Sequence, residues 1–168
     1  IVDIDDETIR RYGQWPWPRT DMARLTLALG QAGAASVAFD IVFSEADRTS
    51  PRQLARRFAA SDPGVARMLD GLPDNDAQLA QVFGAMPVVT GYFLTNEAQT
   101  VKVEPKAGLA VTGSQPTSVP SYRNAVMPLP ELAEPAAGAG FLSIEPDEDS
   151  IIRRAPLIAI QGDQMLPA

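Results

Sequence analysis

The sequence predicts an α/β domain with a mainly parallel central sheet, flanking helices and a C-terminal antiparallel hairpin, and three observations carry that expectation. Residues 1–5 and 36–43 are β-prone runs separated by a helical stretch, the strand-helix-strand pattern of a right-handed crossover. The run Ser36-Val37-Ala38-Phe39-Asp40-Ile41-Val42-Phe43 is apolar on both faces, as a parallel strand covered by helices should be. Residues 140–144 and 151–160 read as paired strands joined by an acidic turn at 146–150.

In chain order, Thr20 is placed to cap a helix whose apolar residues Met22, Leu25, Leu29 and Ala32 recur at helical spacing until Gly33 stops it. Ser50-Pro51 opens a second helix with Leu54 and Phe58 one turn apart, and Asp62-Pro63-Gly64 breaks it. A short helix over 65–69 precedes a third, capped by Asp74 or Asn75, with Leu79, Val82 and Phe83 on one face. Pro87 ends that helix, and residues 88–94 form the third parallel strand. Residues 95–127, rich in Pro, Gly, Ser and Thr, read as a long excursion with an edge strand at 100–103. A helical turn over 130–137 then leads into the closing hairpin.

Composition narrows the chemistry. A chain of 168 residues with 45% hydrophobic residues supports one core and hence one domain over 1–168. With neither cysteine nor histidine, disulfides, thiolate nucleophiles, Cys/His zinc sites and Ser-His-Asp triads are excluded. A metal would have to be a hard cation on oxygen ligands, and no cofactor is expected. The net charge is −7 and the only lysines are Lys102 and Lys106, so the clustered positive charge of a nucleic-acid surface is missing. The chain opens inside an apparent strand without methionine or leader, and every apolar run is broken by charge or proline. It is therefore expected to be an excised piece of a larger protein, with any membrane anchors outside it.

Four motifs bear on function. Asp3-Ile4-Asp5-Asp6-Glu7 places four carboxylates at the end of the first expected strand, where ligands of open parallel sheets bind. Mutual repulsion means they need a cation, an arginine or solvent. Asp40 in its apolar strand needs a partner if buried, and Arg19, Arg153 or Arg154 would serve. In Trp15-Pro16-Trp17-Pro18-Arg19 the prolines stiffen two indoles, which can wall a ligand pocket with Arg19 ready for an anion, or form a lid over the sheet edge. Glu145-Pro146-Asp147-Glu148-Asp149-Ser150 carries alternating acids but lacks the spacing and glycine of an EF-hand loop, which favours a solvated turn over a calcium site. The Asp3-x-Asp5 pattern is also similar to the first motif of haloacid-dehalogenase-type phosphatases. There it would make a metal-dependent hydrolase, although Asp6-Glu7 departs from that pattern and no lysine follows at a suitable place.

Residues 1–8, the Trp-Pro run, Phe39-Asp40-Ile41-Val42-Phe43-Ser44-Glu45, Asp74-Asn75-Asp76, Ala139-Gly140-Phe141-Leu142 and the stretch 147–157 occur together and in order. In this combination the chain resembles the second CHASE family, extracellular sensory domains of bacterial adenylate cyclases, histidine kinases and serine/threonine kinases. The family usually has glycine where Ser150 stands. The resemblance implies a periplasmic or extracellular non-enzymatic sensor, with one transmembrane helix before the domain, three after it and a cytoplasmic cyclase or kinase output. Its expected partners are an unknown small ligand, its own membrane helices and output module, and a second copy in a homodimer. A ligand-free dimerisation module is the alternative without a pocket. The expected site is a convergence of Asp5, Asp6, Trp15, Trp17, Arg19, Asp40 and Arg153 near the carboxyl edge of the sheet, as ligand pocket or as the polar network that shapes it.

Overall fold

The computed structural model describes residues 1–98, 101–110, 112, 119–146 and 149–168. In chain order its elements are α1 (Asp6–Tyr12), α2 (Arg19–Gln31), β1 (Val37–Ala38), α3 (Pro51–Phe58), α4 (Pro63–Asp70), α5 (Asn75–Ala85), β2 (Val88–Thr95), β3 (Ser121–Tyr122), β4 (Asn124–Val126), α6 (Pro130–Ala133), β5 (Gly138–Phe141), β6 (Ile158–Gln161) and β7 (Gln164–Pro167). The fold is α/β.

β2 is the axis of the central sheet. It pairs in parallel with β1 (Val37 opposite Val88) and with β5 (Val89 opposite Gly138 through Tyr92 opposite Phe141). Its far end, Phe93 to Thr95, pairs antiparallel with β4. Carbonyls of alternate β2 residues face opposite edges. Pro87 and Val89 accept from Val37 and Phe39, and Thr95 accepts from Arg123, whereas Val88 and Tyr92 accept from Ala137 and Leu142. β1 and β4 therefore share one edge of β2.

That sharing explains why residues 36–43 form a ladder of only two residues rather than the full expected strand. Beyond Phe39 the edge of β2 belongs to β4, so the chain turns off and Phe43 plugs into the core, fully buried. There Met22, Leu79, Val82, Phe83, Val88 and Leu132 pack around it from α2, α5, β2 and α6. A second core, with Tyr92, Leu94, Val103, Tyr122, Phe141 and Leu166, joins the end of β2 to a smaller sheet, β3-β6-β7.

Two further expectations are corrected. Residues 1–5 are in no sheet. Asp5 is extended backbone that caps α1, its carboxylate accepting from the Thr8 N–H at 2.8 Å, and acids in the first turn with Arg10 and Arg11 in the last suit the helix dipole. The helical signals after Asp5 thus outweigh the β-prone Ile-Val start. The closing hairpin is also displaced: residues 138–141 enter the central sheet as β5, and the antiparallel pair is β6-β7, turned at Gly162, whose φ of +59° suits glycine. Gly140 reveals the reason, since a Cβ there would lie 2.8 Å from the carbonyl oxygen of Ala168, so β5 and the end of β7 approach as only glycine allows.

Thr100 of the expected edge strand lies outside the described residues, and 101–103 make no ladder. Side-chain amides hold them instead: Val101 N–H donates to Asn124 Oδ1 and Val103 N–H to Gln161 Oε1, each at 2.8 Å. α2 begins at Arg19 with Pro18 as its cap residue rather than Thr20, and Ser50 precedes Pro51 of α3 as expected. Among the described residues, no helix is long and apolar enough to cross a membrane.

Candidate functional site: an arginine-carboxylate knot beside two cavities

The Trp-Pro run leaves α1 at Gly13, which turns with a φ of +98° that a side chain would resist. The Trp15–Pro16 peptide bond is cis. Trp17 is anchored by its indole N–H, which donates to the Gly13 carbonyl at 2.8 Å, and it meets the rings of Tyr12 and Trp15 edge-on at 5.9 and 5.7 Å. Both indoles are half-buried. The run then delivers Arg19 as the first residue of α2, buried to 8% exposure.

Arg19 spends its donors inside the protein. Its backbone N–H donates to Asp47 Oδ2 at 2.8 Å, its Nε to Asp76 Oδ1 at 3.2 Å and its Nη2 to the Glu45 carbonyl at 3.0 Å. The guanidinium also lies over the Phe43 ring, 4.5 Å from its centre. Asp47 further accepts from Asn75 Nδ2 and from the N–H and hydroxyl of Thr49, while its own N–H donates to Asp76 Oδ2 at 2.9 Å. Asp74 caps α5 through the N–H groups of Asp76 and Ala77 and accepts from the Ser50 hydroxyl at 2.8 Å. Arg52 Nε stands 3.6 Å from Asp74.

The starts of α2, α3 and α5 thus meet at three carboxylates, which is where helix dipoles favour negative charge. Burial alone would raise the Asp47 carboxyl, but the hydrogen bonds from Arg19, Asn75 and Thr49 outweigh it and hold Asp47 below the usual range. Asp76 goes the other way, because burial outweighs the Asp47 N–H and Arg19, and Asp74 adds repulsion. Glu131 on α6 is also raised, by desolvation and then by Asp76 and Asp74. Asp74, Asp76 and Glu131 each bring a carboxylate oxygen within 4.8 Å of the others, an oxygen-only set of the type hard cations use.

Two cavities flank the Trp-Pro run. The smaller, about 280 Å³, lies between Trp15 and Trp17, the Ile41-Val42 backbone turn and the residues of the knot's outer side, Ser44 to Arg48. The larger, about 970 Å³, is an apolar groove on the other side of Trp15, between residues 1–4, Leu25 and Leu29 of α2, and the open edge of residues 36–42. Trp15, Ile41, Val42 and Ser44 belong to both.

Of the residues expected at the site, Trp15, Trp17 and Arg19 come together around the smaller cavity. Asp40 is exposed at the larger groove with Asp3 and makes no ion pair among the described residues, so the expected Asp40–Arg19 pairing is replaced by Arg19–Asp76. Asp5 and Asp6 serve α1, and Arg153 pairs with Asp149 four residues away, at 2.7 and 2.8 Å. Asp147 and Glu148 of the acidic turn lie outside the described residues. Asp3 and Asp5 sit on an unpaired segment rather than at the end of a strand, which removes the geometry a phosphatase nucleophile needs. Sequence reading missed Asp47. The signal was present in Asp47-Arg48-Thr49-Ser50-Pro51, an Asx-type turn feeding a helix start.

Neither a curated protein nor a solved structure matches the chain. The family model of the CHASE2 domain matches residues 1–168. Its match spans the Trp-Pro run, the Phe43 segment and the Asp74-Asn75-Asp76 cap that the structure ties into one knot, and the chain therefore belongs to the CHASE2 family of extracellular, non-catalytic sensory domains.

Proposed function

We propose that this domain is the extracytoplasmic input module of a bacterial transmembrane signalling receptor, and that it binds a small ligand in the cavity walled by Trp15 and Trp17. In this reading the domain lies in the periplasm or outside the cell, its partners are its own membrane helices and a cytoplasmic cyclase or kinase, and the receptor works as a homodimer. The observation that carries it is the double role of Trp15, a wall of the small cavity and of the groove that residues 1–4 line. A ligand pressing on that indole changes the groove, and so biases the segment that enters the domain. Such a ligand acts only through its different affinity for the two states.

The chain has two tryptophans and both wall this cavity, so its intrinsic fluorescence reports occupancy directly. The test is a metabolite panel read by fluorescence and thermal melting. A true ligand at about a hundredfold excess over Kd adds about 2.7 kcal/mol. That corresponds to a rise in Tm of roughly 5–10 °C for a domain of this size. Saturable binding that is lost in Trp15→Ala supports the reading. A stable dimer that binds nothing in the panel would instead favour a ligand-free dimerisation module.

A further inference from the structure

Resting on the reading of the smaller cavity as the ligand site, we infer that its ligand is a zwitterion with an apolar body, of the size and kind of a free apolar amino acid. The charges around the cavity fall into two groups. Those of its floor are spent: Arg19 is held by Asp76 and the Glu45 carbonyl, and the Asp47 carboxylate accepts four donors. Those of its rim are unspent. Glu45 and Arg48 both line the cavity, both are exposed, and neither side chain makes an ion pair or hydrogen bond among the described residues.

The rim therefore offers one free carboxylate and one free guanidinium, three positions apart in the chain, beside a wall of two indoles and Ile41. A simple anion would find Arg48 but meet Glu45, and a simple amine would find Glu45 but meet Arg48. Like-charge apposition of this kind discriminates against both. A ligand carrying an ammonium and a carboxylate on one carbon satisfies each with its opposite, and its apolar side chain is left to the indoles. The volume of about 280 Å³ stands at the small end of ligand pockets, the scale of one such molecule.

The test is titration of the 168-residue chain with L-leucine, L-valine, L-methionine and L-phenylalanine, followed by intrinsic fluorescence and calorimetry. For leucine the comparison ligands are 3-methylbutan-1-amine, which lacks the carboxylate, and 4-methylpentanoate, which lacks the amine. We expect at least one of the amino acids to bind saturably. Removal of either end group should weaken it by about tenfold or more, the equivalent of about 1.4 kcal/mol. Glu45→Gln should weaken the amino acid and strengthen 4-methylpentanoate, and Arg48→Gln should weaken the amino acid and strengthen 3-methylbutan-1-amine, because each change removes the like charge that the analogue meets. Circular dichroism of both variants guards against misfolding, which neither exposed residue should cause. Equal binding of the amino acid and either analogue overturns the inference. So does binding of a sugar or dicarboxylate in place of every amino acid, which, if abolished by Trp15→Ala, leaves the ligand cavity itself standing. Failure of all of these to bind to the folded chain overturns both readings.

Discussion

Arg19 and Asp76, 57 residues apart in the chain, meet at 3.2 Å with side chains only 10% and 2% exposed. The pair ties the exit of the Trp-Pro run to the first turn of α5. Each partner also serves Asp47, through the Arg19 N–H and through the Asp76 carboxylate that accepts the Asp47 N–H. Each charge is thus compensated by position, and removing one leaves the others stranded in low dielectric.

Asp40 supplies the contrast. It is exposed and has no ion pair among the described residues, so Asp40→Ala should change the unfolding free energy by about 0.5 kcal/mol or less. Urea unfolding measures this, and a loss of several kcal/mol would mean that Asp40 has a buried partner after all.

Asp47 makes the knot sensitive to acid. Its folded pKa lies below the unfolded value of about 3.9, so its contribution is present above that pH and lost as pH falls through the folded pKa. Asp47→Asn should therefore be less stable than the parent at neutral pH, and the gap should close as pH drops below about 4. A gap independent of pH would show that Asp47 acts by packing alone.

Glu131 has the opposite sign. Its pKa is raised by desolvation and by Asp76 and Asp74, so it binds a proton more tightly in the folded state and its ionised form costs stability at neutral pH. Glu131→Gln should stabilise the fold slightly at pH 7, by about 0.5 kcal/mol or less because the side chain is exposed and solvent screens it, read as a small rise in Tm. The advantage should vanish as pH falls through the Glu131 pKa. Destabilisation at pH 7 would imply that Arg52 matters more than its acidic neighbours.

Gly91 marks the closest passage across the central sheet. A Cβ there would lie 2.8 Å from Leu142 Cγ and 3.1 Å from the Phe39 carbonyl oxygen. Gly91→Ala should cost about 1–3 kcal/mol by overpacking, measurable as a drop in Tm. A neutral result would show that Leu142 swings aside freely.

The parts of the fold legible in the sequence are those whose signals are local. β2 reads as a strand because the mostly apolar run Val88-Val89-Thr90-Gly91-Tyr92-Phe93-Leu94 follows the break at Pro87, and α5 announces itself by Asp74 and the spacing of Leu79, Val82 and Phe83. The parts that misled are settled by competition for the same edge or the same residues. Residues 36–43 have the composition of a long strand, but β4 takes the edge of β2 beyond Phe39, and nothing near residue 40 signals that. Residues 1–5 have the composition of a strand, but Asp5 is worth more as a cap. At the site, Trp15, Trp17 and Arg19 were recognisable because paired Trp-Pro steps ending in arginine are chemically unusual. Their acidic partners were not, because Asp76 lies 57 residues away, beside an Asp74 whose local signal is that of a helix cap.

The claim that the Arg19 knot holds the wall of the smaller cavity in place is tested most directly by a double-mutant cycle on Arg19→Ala and Asp76→Ala, read by chemical denaturation. Each single change strands a buried charge and should cost about 3–5 kcal/mol. The double variant should cost less than their sum, by a coupling of about 1–3 kcal/mol. Single costs near zero that simply add would contradict the account, because Arg19 and Asp76 would then be neighbours without being partners.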